Sequence, residues 1–167
     1  MVFAFARFIT YGPIRALRNV SLALLLANPA SAATIAALGD SLTQGYGLAP
    51  EEGFVPQLQA WLAAQGQTVT VQNAGVSGDT SAGGLARLDW TLAPEVQGLI
   101  VTLGANDMLR GIDPSQTRAN LDAILLGAKA KNIPVLLIGM QAASNYGPDY
   151  KAQFNAIYPD LAARYKV

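Results

Sequence analysis

Three short polar stretches of this sequence carry residues whose types could do chemistry together: "GDSLTQGYG" at 39–47, "NAGVSGDTSAGG" at 73–84 and "GANDMLRG" at 104–111. Each follows an apolar run and precedes a helical pattern. That is where α/β proteins present their chemistry, outside the carboxyl ends of the strands. The residues of interest are Ser41, Gly78 and Asn106. A serine hydroxyl at a strand-to-helix turn is an exposed nucleophile suited to acyl transfer. The backbone N–H groups of Ser41 and Gly78 and the side-chain amide of Asn106 make three donors. Aimed at one point, they would hold the oxyanion of a tetrahedral intermediate, each donor typically lowering the barrier by roughly 3–4 kcal/mol. Glycine at 78 lets the backbone approach without a Cβ.

Each block has a plain structural explanation when taken singly. Asp40 and Ser41 are common helix caps. Asn73 with Gly75, Gly78 with Asp79, and Asn106 with Asp107 are turn formers. The order of the three blocks after three strands favours a shared site. Other chemistries fit less well. There is no G-x-x-x-x-G-K-[ST] phosphate loop, the first block lacks dinucleotide-fingerprint spacing, and no G-x-S-x-G elbow occurs. The sequence has neither cysteine nor histidine. Disulfides and thiolates are thereby excluded, and a zinc or haem site would rest on carboxylates alone. No metal and no cofactor is expected.

The elements that must position these blocks read as alternating strands and helices, the pattern of a parallel sheet covered on both faces. The strands expected are Thr34–Leu38, Val69–Gln72, Leu99–Leu103 and Val135–Gly139, each nearly continuously apolar or β-branched. Phe54, Leu58, Trp61 and Leu62 form a helical stripe that Gly66 ends. Asp79 or Thr80 caps a helix with Leu85, Leu88 and Leu92 inward. Asp113-Pro114-Ser115-Gln116 is a strong helix start, with Leu121, Ile124, Leu125 and Ala128 buried up to Asn132. A last helix from about Tyr150 turns Phe154, Ile157 and Leu161 inward, with a kink or restart expected at Pro159. "VLLIGM" at 135–140 reads as a strand buried on both faces, and "RYKV" at 164–167 as the start of another strand. A βα pattern that stops there predicts a chain truncated at its carboxyl end; a naturally short domain is the alternative.

The amino terminus reads as a separate object. Arg7, Arg15 and Arg18 precede the apolar run "VSLALLLA" (20–27), and "ASA" (30–32) is a small-x-small cleavage pattern. Residues 1–32 are expected to be a secretory signal peptide cut after Ala32, its apolar run too short to span a bilayer. An amphipathic helix of the fold is the alternative. The domain that follows, 33–167, keeps eight basic against eleven acidic residues, a net charge of −3. This mildly acidic domain is not expected to bind nucleic acid, and it has no cationic amphipathic helix to anchor it to anionic lipid. A periplasmic or secreted monomer is expected.

The stretches "LGDSLTQGYG", "NAGVSGDTSAGGLARL", "LGANDMLRG" and "NYGPDYKAQFNAIYPDLA" resemble the GDSL, or SGNH, hydrolase family, and most closely its bacterial periplasmic arylesterases, thioesterases and lysophospholipases. The resemblance runs from Thr34 to Val167. It implies a flavodoxin-like three-layer α/β/α sandwich and cofactor-free hydrolysis of a small-molecule ester or thioester, with an acyl chain or aryl group, through an acyl-serine. It assigns Ser41 as nucleophile, with Ser41, Gly78 and Asn106 as the oxyanion hole. It also implies a fourth block, Asp-x-x-His, near the carboxyl terminus, where the histidine is the general base. The catalytic Asp and His have no counterpart in this sequence. The resemblance therefore agrees with a last strand and helix missing, and two outcomes are expected to compete: a serine esterase, or a catalytically impaired fragment or non-catalytic pseudo-enzyme.

Overall fold

The structure is a computed structural model that describes residues 32–167; the expected signal peptide lies outside the described residues apart from Ala32. Four strands form one parallel sheet: β1 (Ala33–Gly39), β2 (Val69–Gly75), β3 (Val96–Thr102) and β4 (Val135–Leu137), in the order β2-β1-β3-β4. The helices are α1 (Ser41–Gln44), α2 (Phe54–Ala64), α3 (Ser81–Ala86), α4 (Leu88–Thr91), α5 (Ala105–Leu109), α6 (Pro114–Ala130) and α7 (Pro148–Tyr165). The strand order reverses between β1 and β3. In open α/β sheets the crevice at such a reversal is where ligands bind.

Alternation along the strands sends residues to two different cores. On one face Ala36, Leu38, Leu99, Val101 and Leu103 pack with Leu88 and Leu92, with Leu121, Ile124 and Leu125 of α6, and with Phe154, Ile157 and Leu161 of α7. On the other, Ala37, Val71 and Ile100 meet Val55 of α2, with Phe54, Leu58 and Leu62 half-buried around them. The sheet is thus sandwiched, as the sequence predicts, but its two covers differ in thickness.

Several local expectations need correction. β2 extends through Asn73–Gly75, residues whose types suggest a turn; the Asn73 side chain bonds within the strand end instead, accepting from the Gly75 N–H at 2.9 Å. Trp61, counted in the apolar stripe of α2, is 60% exposed. The segment at 135–140 is not buried on both faces: β4 is three residues long, pairs with β3 at the sheet edge, and leaves Leu136 exposed. Helix α7 runs through Pro159 without a restart, and Arg164 and Tyr165 form its last turn rather than a strand; Lys166 caps it in the left-handed conformation. The helix expected after Thr80 is broken into α3 and α4 at Arg87.

Candidate active site

The three polar blocks leave the carboxyl ends of β1, β2 and β3 and meet at the β1/β3 reversal. Asp40 closes β1 and caps α1, its Oδ1 accepting from the Leu42 N–H at 3.0 Å. Ser41 is therefore the first residue of a helix, where backbone N–H groups have no partner within the helix. The turn is held against β2: the Val76 N–H donates to Gly39 O at 3.0 Å, the Asn73 amide donates to Gln44 O at 3.3 Å, and the Ser77 hydroxyl bonds the Gln44 side chain.

Gly78 adopts φ +82°, a left-handed conformation that disfavours any side chain. Its carbonyl accepts from Arg110 Nη2 at 2.6 Å, which links the second block to the third. Thr80 caps α3, accepting from the Gly83 N–H at 3.3 Å, so of the two candidate caps the structure selects Thr80.

Asn106 lies in the first turn of α5, entered through Gly104 at φ +117°. A Cβ on Gly104 would sit 2.1 Å from the Tyr158 hydroxyl. That hydroxyl donates to Leu103 O at 2.9 Å and pins the end of β3. Burial pushes the Tyr158 phenol far above its ordinary range, so it stays a neutral donor. The Asn106 amide nitrogen donates to Asp79 O at 2.8 Å and, more weakly, to Asp40 Oδ2 at 3.3 Å. One side chain thereby joins all three blocks. The contact to Asp40 is the longer and weaker of the two.

Two buried aspartates flank these donors, and sequence reasoning missed what they do. Asp107 turns away from the surface. It accepts from the Ser81 N–H at 2.7 Å, from the Ser81 hydroxyl, and from the Thr117 hydroxyl at 3.2 Å, while Asn120 donates to Ser81 Oγ at 3.0 Å. It is thus a structural tie between α3, α5 and α6. Asp40 is buried as well, and its carboxyl pKa is raised, chiefly because burial disfavours the charged form, with the negative charges of Asp79 and Asp107 adding to the effect. The helical-cap signal of Asp40 is visible in sequence; the inward turn of Asp107 depends on Ser81, 26 residues earlier, and on Thr117 in the next helix.

The apolar residues beside the first and third blocks divide. Leu48 and Leu109 are exposed on the first and third loops, and Met108 packs on the larger core. A cavity of about 240 Å³ opens beside α1, lined by Leu42, Thr43, Phe54, Thr102 and Ile138. Among the described residues no cluster of carboxylates could hold a metal ion, and no helix is long and apolar enough to cross a membrane.

Comparison with known proteins gives the family. Residues 37–167 match the model of the GDSL-like lipase/acylhydrolase family. The chain is 45% identical over 144 residues to the esterase TesA of Pseudomonas aeruginosa, an alignment covering 86% of this chain and 72% of that protein. It is 42% identical over 148 residues to the thioesterase 1/protease 1/lysophospholipase L1 of Escherichia coli K12, covering 87% and 69% respectively. Among solved structures, the SGNH-hydrolase family esterase AlinE4 superposes with a TM-score of 0.79 at 42% identity, covering 81% of this chain and 74% of that one. The chain belongs to the GDSL-like lipase/acylhydrolase family, and by family it is a serine hydrolase.

Proposed function

We propose that the three blocks form an acyl-transfer site for carboxylic esters or thioesters. Ser41 presents the attacking hydroxyl. The Ser41 and Gly78 backbone N–H groups and the Asn106 amide receive the oxyanion. The observation that carries this reading is the Asn106 amide, bonded to Asp79 O and Asp40 Oδ2 and so shared by all three loops. In the reaction the Ser41 Oγ forms a bond to the carbonyl carbon while its proton passes to solvent water, the carbonyl oxygen becomes an oxyanion that accepts a hydrogen bond from the Asn106 N–H held weakly by Asp40, and collapse breaks the bond to the leaving oxygen or sulfur, which takes a proton back from water and departs as the alcohol or thiol. Water then cleaves the acyl-serine. Exposed Leu42, Leu48 and Leu109 supply apolar surface for an acyl chain or aryl group. No bound metal is required by this scheme.

A second reading is favoured by a specific observation. The sequence has no histidine, and the carboxylates beside the donors, Asp40 and Asp107, are already occupied by hydrogen bonds. A serine hydroxyl is a weak nucleophile without a base. On this reading the 167-residue chain binds acyl compounds and turns them over slowly. Where a triad member is absent, roughly 10³–10⁴-fold acceleration over water survives from the oxyanion hole and binding alone.

The test follows from that arithmetic. Hydrolysis of p-nitrophenyl butyrate by the chain is expected within that residual range. Asn106→Ala should lower it by about 10²-fold, the typical loss of one oxyanion donor. An unchanged rate would sink the site assignment. Rapid stoichiometric labelling of Ser41 by a fluorophosphonate would favour the first reading, and slow or absent labelling the second.

We further propose that residues 1–32 direct export to the periplasm or medium and are then removed, leaving a chain that begins at Ala33. Mass spectrometry of secreted protein that still carries Met1 would refute the cleavage.

A further inference from the structure

Arg87 stands at the break between α3 and α4, outside the three blocks, yet its guanidinium reaches two of them directly. Nε donates to Asp79 Oδ2 at 2.7 Å, Nη1 to Ala74 O at 2.7 Å and Nη2 to Gly39 O at 2.8 Å. Gly39 and Ala74 lie at the carboxyl ends of two adjacent parallel strands, β1 and β2. A ladder that is running out leaves carbonyls in need of donors. Gly39 O, which also accepts from the Val76 N–H, directly precedes Asp40 and Ser41. Asp79 directly follows Gly78, and its carbonyl accepts from the Asn106 amide.

One cation therefore bonds the strand end before Ser41, the strand end before Gly78 and the side chain next to Gly78; through Asp79 it is one residue removed from Asn106. We infer that Arg87 is a positioning residue that sets the spacing of the three donors. The inference rests on reading Ser41, Gly78 and Asn106 as the site. The requirement is for arginine rather than for a positive charge. Three groups in different directions are met by a planar fork of five N–H donors, whereas a lysine ammonium is a point charge. The side chain is 19% exposed, so its charge-assisted bonds are far less screened than those of a surface pair.

The break at Arg87 gives this role a local cause. Helix α3 ends at Ala86 and α4 begins at Leu88, with Arg87 at φ −109° and ψ 10° between them. Leu88 is buried in the larger core, which fixes the break from below.

Amide hydrogen exchange followed by NMR on the 167-residue chain tests this without depending on turnover. The probes are the hydrogen-bonded amides of Val76, Asp79 and Ser81, with Leu121 and Ile124 of α6 as the remote reference. Arg87→Lys is expected to speed exchange at the three loop amides at least tenfold and at α6 less than twofold. Asp79→Asn, a milder variant, should speed the same loop amides by a smaller factor. Residual ester hydrolysis by Arg87→Lys should fall at least tenfold in kcat with KM within twofold. Equal acceleration in loop and α6, lysine protecting as well as arginine, or a change confined to KM would each overturn the inference. Failure of the site reading itself shows separately, as an unchanged rate in Asn106→Ala.

Discussion

The two faces of the sheet are covered unequally, and the site straddles them. On the thick side, α6 and α7 bury Leu121, Ile124, Phe154, Ile157 and Leu161 completely or nearly so, and Tyr146, Tyr150, Phe154 and Tyr158 form a continuous aromatic row. On the thin side, among the described residues, α2 and the short α1 cover the sheet, Leu136 is 58% exposed, and the buried hydroxyls of Thr43 and Thr102 have no hydrogen-bond partner. Polar groups follow the same division. The thick side satisfies its buried aspartate, Asp107, from Ser81 and Thr117. The thin side carries the α1 turn behind Ser41 with its polar atoms incompletely paired. The lesson is that Asn106 is carried on α5, whose neighbours Leu103 and Met108 pack in the larger core, while the serine turn sits on the thinner cover.

The largest effect that could break this comparison is a cavity on each side. Phe154→Ala should cost about 3–5 kcal/mol of unfolding free energy, as buried Phe-to-Ala changes do. Val55→Ala on the thin side should cost about 1–2 kcal/mol, from two methyl groups at ~0.8 kcal/mol each. Urea unfolding of both variants checks the ratio; equal costs would mean that the two covers are energetically alike. Next comes Asp107→Ala. It strands the Ser81 N–H, the Ser81 hydroxyl and the Thr117 hydroxyl in a buried site, and a loss of about 3 kcal/mol is expected. Thr117→Ala, which removes one long bond, should cost about 1 kcal/mol. A near-neutral Asp107→Ala would show that α3, α5 and α6 are held by packing alone.

What was legible in the sequence followed from local rules. The strand positions, the apolar faces of α6 and α7 and the Asp113 cap on the Ser115 N–H all depend on neighbours within one or two turns. So did the three polar blocks at strand ends. The rest depended on which strand lies beside which. β4 reads from its apolar residues as a strand that wants neighbours on both sides; among the described residues it pairs with β3 alone, and Leu136 faces outward. Trp61 fits a helical stripe, but only Phe54, Leu58 and Leu62 of that stripe pack on the smaller core, and Trp61 is exposed. Asp107 reads as a turn former and nothing local singles out Arg87; their roles come from contacts 26 and 48 residues away in sequence.

A smaller effect of opposite sign sharpens the contrast. Thr43 is buried with its hydroxyl unpaired. Thr43→Val keeps the shape and removes a polar atom that lost its water on folding. It should therefore stabilise the protein by about 1 kcal/mol, the low end of the cost of an unsatisfied buried group. The same exchange at Thr117, whose hydroxyl donates to Asp107, should destabilise. If both valine variants lose stability, the thin side is better satisfied than its hydrogen bonds indicate.

The smallest effect is read as a slope against pH. Burial raises the Asp40 carboxyl above its ordinary value of about 3.9. The folded state then holds this proton more tightly than the unfolded chain does. Below the ordinary value both states are protonated and the carboxyl contributes nothing. As pH climbs from there through the raised folded value, the unfolded chain releases its proton first, and stability falls until both states are ionised. Asp113, whose carboxylate is hydrogen-bonded by Ser115 and lowered, contributes with the opposite sign: its stabilisation is present above the ordinary value and lost as pH falls. In Asp40→Asn the ionisation is gone, and asparagine still caps a helix well. The stability of Asp40→Asn minus that of the parent should therefore increase between pH 3 and 7, whatever its constant offset. A difference that stays flat or decreases over that range would mean that the Leu42 N–H and the Asn106 amide compensate the Asp40 charge fully, and that the serine turn is as well paired as the aspartate on the thick side.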